Sequence, residues 1–163
     1  MVEYIAKKND FSDWKFNKSL NSQISKGKLK NSNVILAKPR TYVNKAGEAA
    51  KKLTTSYKLK ADQIIVAHDD LDIPFGNTKL SFNKNSGGHK GIESIMRALK
   101  TKKFYRLRIG LAKKALDKAR QQSDKKRDEF VMKFVLAKFS PSEQEEIKTI
   151  FKEGHDKLLQ IIG

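Results

Sequence analysis

The hydrophobic period changes repeatedly between residues 64 and 111, and this limits the fold more than any other feature of the chain. "IIVA" (64–67) is a short, continuously apolar run, as in a strand buried on both faces. "TKLSF" (78–82) alternates. Ile92, Ile95, Met96 and Leu99 follow i, i+3, i+4, i+7, the spacing of a helix with one apolar face. "YRLRIGL" (105–111) alternates again, with Tyr105, Leu107 and Ile109 on one side. Strands exchanged with helices in this way predict an α/β fold, a mixed twisted sheet flanked by helices.

The flanks extend the pattern. Val2 and Ile5 suit one face of a short helix that "NDF" breaks. "WKFNKSLNSQI" reads as a half-buried strand, "SKGKLKNS" as a basic turn, and "NVILAKP" (33–39) as the second arm of a hairpin. Val43, Ala46, Ala49, Ala50, Leu53 and Tyr57 keep helical spacing over 43–58. At the C-terminal end, Ser140 and Glu143 have capping-box spacing with Pro141 in the first helical position, and Ile147, Ile150, Phe151, Leu158 and Ile161 form the buried stripe. No repeat and no second domain is visible, so residues 1–163 read as a single domain. "KKALDKARQQSDKKRD" (113–128) reads as a basic, flexible excursion, with a flap on a nucleic acid as the alternative.

Charge narrows the partners. Lys and Arg number 35 against 18 Asp and Glu, a formal +17, so the surface concentrates polyanions: RNA, DNA or acidic lipid. There is no cysteine, which removes disulfides, thiolate nucleophiles and Cys-ligated metals and fits a cytoplasmic chain. No apolar run approaches the roughly 20 residues of a membrane-spanning helix.

Candidate chemistry lies at three junctions. His68, Asp69, Asp70 and Asp72 follow the apolar run, at the carboxyl end of a strand, where α/β proteins meet ligands. Three readings are open there: a divalent-cation cluster, turn chemistry, or an aspartate that orients a catalytic histidine. His89 follows Gly87 and Gly88 at the mouth of an apolar helix, whose free N–H groups suit a phosphate or carbonyl oxygen. Asn44 stands at the start of another helix, as a cap or as an amide that holds a substrate carbonyl. His155 has no evident partner in sequence and reads as a surface or rim residue.

In order, "KPRTYVNKAG", "VAHDDLDIPFG", "SGGHKGIESI", "FYRLRIGL" and "FVLAKFSPSEQ" closely resemble the bacterial peptidyl-tRNA hydrolase family, from about Asn33 to the C-terminus with an interruption at 113–128. The resemblance implies a monomeric, cytoplasmic α/β enzyme without metal or cofactor. Its substrate would be peptidyl-tRNA, and it would cleave the ester between peptide and tRNA to recycle tRNA in translation, with no membrane partner. By resemblance Asn44 is the active-site asparagine, and Val43 stands where methionine is usual. Asp69 orients the catalytic histidine, and His89 is the second histidine of the site. Arg108 helps clamp tRNA phosphate.

The sequence also departs from the family. Lys90 replaces the usual asparagine after the second histidine, and an ammonium only donates hydrogen bonds. Ser81 stands where a second phosphate-clamping residue is common, with Lys79 and Lys84 nearby to compensate. The family's first strand, its "GNPG"-type turn and its "RHN" motif with the catalytic histidine have no counterpart here. The expectation is therefore an N-terminally incomplete domain, first strand missing and Met1 an internal methionine or the gene broken, in which Asp69 orients a histidine absent from this chain. The alternative is a non-catalytic RNA-binding protein of the same fold.

Overall fold

Trp14 to Pro39 builds an antiparallel sheet of three strands, β1 (Lys15–Asn17), β2 (Ser22–Leu29) and β3 (Ser32–Pro39), after a first helix α1 (Val2–Lys8). The structure is a computed structural model and describes residues 1–113 and 123–163. The expected basic turn is narrower than "SKGKLKNS". Lys26 and Lys28 point outward from β2 while Leu29 is buried, and only Lys30 and Asn31 make the turn, Lys30 at φ +52°. Gly27 hid this strand from sequence reading. A Cβ there would lie 2.5 Å from the Phe11 ring, so the glycine is where the ring packs onto the sheet.

A second three-stranded sheet follows: β4 (Ile65–Pro74), β5 (Thr78–Phe82) and β6 (Tyr105–Ala112), in the order β4-β6-β5. β4 runs parallel to β6, and β5 antiparallel to it. The mixed sheet is thus present, but the hydrogen bonding is split into two sheets instead of one. Nor is the "IIVA" strand covered on both faces. β4 is an edge strand of its sheet, with Ile65 and Val66 half-buried and Ala67 exposed. It also continues through the polar stretch, because pairing with β6 persists to Asp70 and resumes, after a register shift, at Pro74. Gly110 permits that shift: a Cβ would lie 2.2 Å from the Pro74 carbonyl oxygen.

Helices cover this second sheet on both sides. α2 (Ala46–Ser56), entered through a 3₁₀ turn (Val43–Lys45), and α3 (Lys90–Leu99) bury Ile92, Ile95 and Phe104 against Ile64 and Val66. On the other side α1 and the last helix α5 (Pro141–Ile161) bury Ile5, Leu107 and Leu158, and Leu29 and Leu36 join that cluster from the first sheet. α5 starts on the expected capping box. His155 is not on a rim. It is 2% exposed, and Asn9 bonds to both its Nε2 (3.1 Å) and the Ile5 carbonyl (2.8 Å), which ties α5 to α1. Of the excursion expected over 113–128, residues 114–122 lie outside the described residues, while helix α4 spans Asp124–Val135. No described helix is long and apolar enough to cross a membrane.

α2 and α3 approach unusually closely. A Cβ on Gly47 would lie 2.1 Å from the Ser94 carbonyl oxygen, and the Gly47 amide donates to Ser94 Oγ at 3.0 Å. This contact sets the 3₁₀ turn, with Val43 and Asn44, beside the head of α3.

Candidate active site

Alternation along β4 and β6 gathers polar side chains at the end of the sheet that α3 leaves uncovered. His68 is in register with Arg108 on β6, and Arg108 with Lys79 on β5, so the three form one row across the sheet. Asp70, two residues on from His68, accepts from Arg108 Nε at 2.6 Å and from the Asp72 amide at 2.9 Å. Burial pushes the Asp70 carboxyl up, but the Arg108 bond and charge and the Asp72 amide prevail and hold it below its ordinary value. Arg106, 3% exposed, donates to the Asn85 carbonyl and so fastens the loop that leads to His89.

That loop delivers His89 to the cap of α3. Gly87 and Gly88 take φ +65° and +80°, a region open to glycine and costly for other residues. His89 Nδ1 then accepts from the amides of Gly91 (3.1 Å) and Ile92 (3.2 Å). An amide can only donate, so Nδ1 is the unprotonated nitrogen and Nε2 carries the hydrogen. Nε2–H faces Asp69 Oδ1 at 3.2 Å. The bond from His89 pulls the Asp69 carboxyl down against the upward push of burial. Burial pushes His89 down while the Asp69 bond and charge push it up, and the balance lies above its ordinary value. An added proton would have to enter at Nδ1 and displace both helix amides.

The mouth beside this pair is lined by the 3₁₀ turn. A Cβ on Gly91 would lie 2.9 Å from Val43 Cγ1 and 3.0 Å from His89 Cε1, so glycine lets the turn, the imidazole and the helix meet. Tyr42 and Val43 are 81% and 64% exposed, an apolar lip next to a polar centre. Asn44 is exposed on the same turn, and Lys90 is exposed as the first residue of α3.

Val43, Asp69 and His89 thus meet at the head of α3, where Lys90 is the first helical residue, and Asn44 follows Val43 on the adjoining turn. Arg108 lies deeper, engaged by Asp70, and Lys79 is exposed across the sheet from it. In this structure the imidazole bonded to Asp69 is that of His89. The metal reading of "HDDLD" finds no support in the geometry: among the described residues no three His, Cys, Asp or Glu side chains converge. Two site residues escaped sequence reading. Arg106 was legible in the alternation of "YRLRIGL", which puts Arg106 and Arg108 together opposite Tyr105, Leu107 and Ile109. His68 was noticed only as part of the acidic cluster. Its Nδ1 lies 2.6 Å from the Asp69 carbonyl oxygen, and its ring stands edge-on to His89, centroids 4.8 Å apart.

Comparison with known proteins gives concordant results. A family model described as peptidyl-tRNA hydrolase matches residues 1–163. A peptidyl-tRNA hydrolase of Aquifex aeolicus (strain VF5) is 40% identical over 141 residues, 86% of this chain and 68% of the relative. One from Mycolicibacterium smegmatis is 35% identical over 145 residues, 89% of this chain and 70% of the relative. The crystal structure of peptidyl-tRNA hydrolase from Acinetobacter baumannii superposes with a TM-score of 0.82 at 26% identity, over 99% of this chain and 75% of that one.

Proposed function

The chain belongs to the peptidyl-tRNA hydrolase family, and on that premise we propose that it hydrolyses the ester joining a peptide to the 3′ end of tRNA, as a monomeric cytoplasmic enzyme. The observation that carries this reading is the Asp69–imidazole pair at the head of α3, with Asn44 and the apolar lip of Tyr42 and Val43 beside it. Water attacks the ester carbonyl carbon and gives its proton to an imidazole nitrogen. The tetrahedral intermediate then collapses, the bond to the ribose oxygen breaks, and the proton passes to that oxygen. Asp69 fixes the imidazole tautomer and supports the positive charge that forms. The Asn44 amide holds a substrate oxygen, the lip receives the peptide, and Lys90 and Lys79 meet backbone phosphates.

The chain has three histidines. His89 has both ring nitrogens engaged. His68 Nε2 and the ring of His155 are buried. We therefore assign the base to an imidazole supplied to Asp69 from outside residues 1–163, matching the family's histidine motif that this sequence lacks. The same inventory favours a second reading, an RNA-binding protein without catalysis. Assay of N-acetylated aminoacyl-tRNA separates the two. Release of the acylated amino acid that depends on Asp69 and Asn44 supports hydrolysis, and tight tRNA binding without release under any condition supports the binding protein.

A further inference from the structure

Asp69 is paired with Ile109 one residue before the last regular pair of the sheet. The β4–β6 ladder runs residue by residue from Ile65 to Asp70 and then shifts register before Pro74 meets Ala112. β4 is an edge strand, exposed at Ala67. A carboxylate there has little ladder beyond it to fix φ and ψ, the two soft torsions that set its direction. His68 adds a second restraint to the ladder. Its Nδ1 is 2.6 Å from the main-chain oxygen of Asp69. A carbonyl only accepts, so Nδ1 carries the hydrogen. The bond closes a ring of atoms from the His68 imidazole, along the backbone, to the Asp69 carbonyl. Both φ and ψ of Asp69 lie inside that ring.

We propose that His68 is a positioning residue: its Nδ1–H, clamped on the Asp69 carbonyl, fixes the backbone that aims the Asp69 carboxylate at its histidine partner. Two further observations fit. The His68 ring also stands edge-on to His89, centroids 4.8 Å apart and planes at 73°, so one side chain braces both members of the pair. And His68 is 9% exposed while its Nε2 has no hydrogen-bond partner among the described residues. Space-filling alone would favour an apolar ring there, which has no polar atom to desolvate. The charged and titratable groups around the two rings are Asp69 and Asp70 on β4 and Arg106 and Arg108 on β6.

The inference rests on the reading of Asp69 as the acidic member of the site, and its test needs no substrate. Histidine ring ¹⁵N shifts, followed against pH, report tautomer and titration for each imidazole. In the parent, His68 is expected as the Nδ1–H tautomer and His89 as Nε2–H. The opposite tautomer at His68 overturns the proposal whatever any variant does. Asp69→Asn removes the upward pull on His89 and defines the full downward shift of its titration. His68→Phe keeps the ring and loses the donor, and is expected to produce most of that shift. His68→Asn places an amide N–H close to the position of Nδ1 and is expected to titrate His89 as the parent does. Parental titration in His68→Phe, or an equal fall in His68→Asn, overturns the clamp. If His68→Phe does not fold, as judged from the Gly91 and Ile92 amide signals, the parent tautomers and His68→Asn still decide. Failure of the hydrolysis reading would appear elsewhere, as turnover indifferent to Asp69→Asn, and would leave these shifts unchanged.

Discussion

At Asp69 a single carboxylate serves an imidazole on one side and depends on its own backbone carbonyl being held on the other. Asp69→Asn is therefore expected to cut hydrolysis by about 10²–10⁴-fold while leaving tRNA affinity close to parental, because an amide supports neither the tautomer nor the developing charge. Steady-state kinetics beside a filter-binding assay check this, and near-parental turnover would remove Asp69 from the mechanism. His68 makes a separate prediction about stability. Burial, and after it the charge of His89, push its imidazole from 6.5 to about 4. Between those values the unfolded chain takes up a proton that the folded chain refuses, so stability falls as pH drops through that window, by at most about 1.4 kcal/mol per pH unit. The lowered carboxyls of Asp69 and Asp70 act below their ordinary 3.8, those of Glu3 and Glu143 below 4.5, and the raised His89 acts above 6.5, so between 4.5 and 6.5 the window belongs to His68. Thermal unfolding between pH 4.5 and 6.5 should slope in the parent and flatten in His68→Asn; equal slopes contradict the assignment. The order of short motifs singles out Asn44, Asp69 and His89 in the sequence. The role of His68 could not be read there, because it arises from a bond to a backbone carbonyl, which leaves no spacing in the sequence.

At the scale of elements, the site depends on two close approaches made by glycine. Gly47→Ala puts a methyl group against the Ser94 carbonyl, which is backbone and cannot swing away. α2 must then move off α3, at a cost of about 1–3 kcal/mol, and the Val43–Asn44 turn moves with it. A lowered unfolding midpoint together with weakened hydrolysis is the expected result, and an unchanged midpoint contradicts it. His89→Ala removes the acceptor for the Gly91 and Ile92 amides and should cost about 1 kcal/mol as a lost helix cap. Hydrogen exchange should accelerate at those two amides first, and unaltered protection there contradicts the cap. The helical elements were readable because their apolar stripes repeat. β2 was not read to its full length, because lysines alternating with Gly27 and Leu29 look like a turn until the Phe11 ring is placed on the glycine. β4 was read as ending at Ala67, because His68 to Pro74 is too polar for a buried strand and the edge position is invisible in sequence.

For the whole molecule, the +17 charge and the ester chemistry act on one substrate. If phosphates supply most of the affinity, tRNA binding should weaken steeply with salt, and Lys90→Ala or Lys79→Ala should each lower the log–log slope by about 1. Arg108→Ala should act differently. It leaves Asp70 buried without its guanidinium and therefore also lowers stability. A salt titration of binding beside thermal unfolding separates these effects, and a flat salt dependence removes the phosphate account. The hydrolytic account itself is tested most directly by release of N-acetylated amino acid from tRNA by the 163-residue chain, measured with and without added imidazole, in the parent and in Asp69→Asn. If Asp69 awaits an imidazole base, the parent should release little alone and should accelerate with imidazole beyond the rate of imidazole in buffer, and Asp69→Asn should abolish the difference. Turnover that needs no imidazole and survives Asp69→Asn would contradict it.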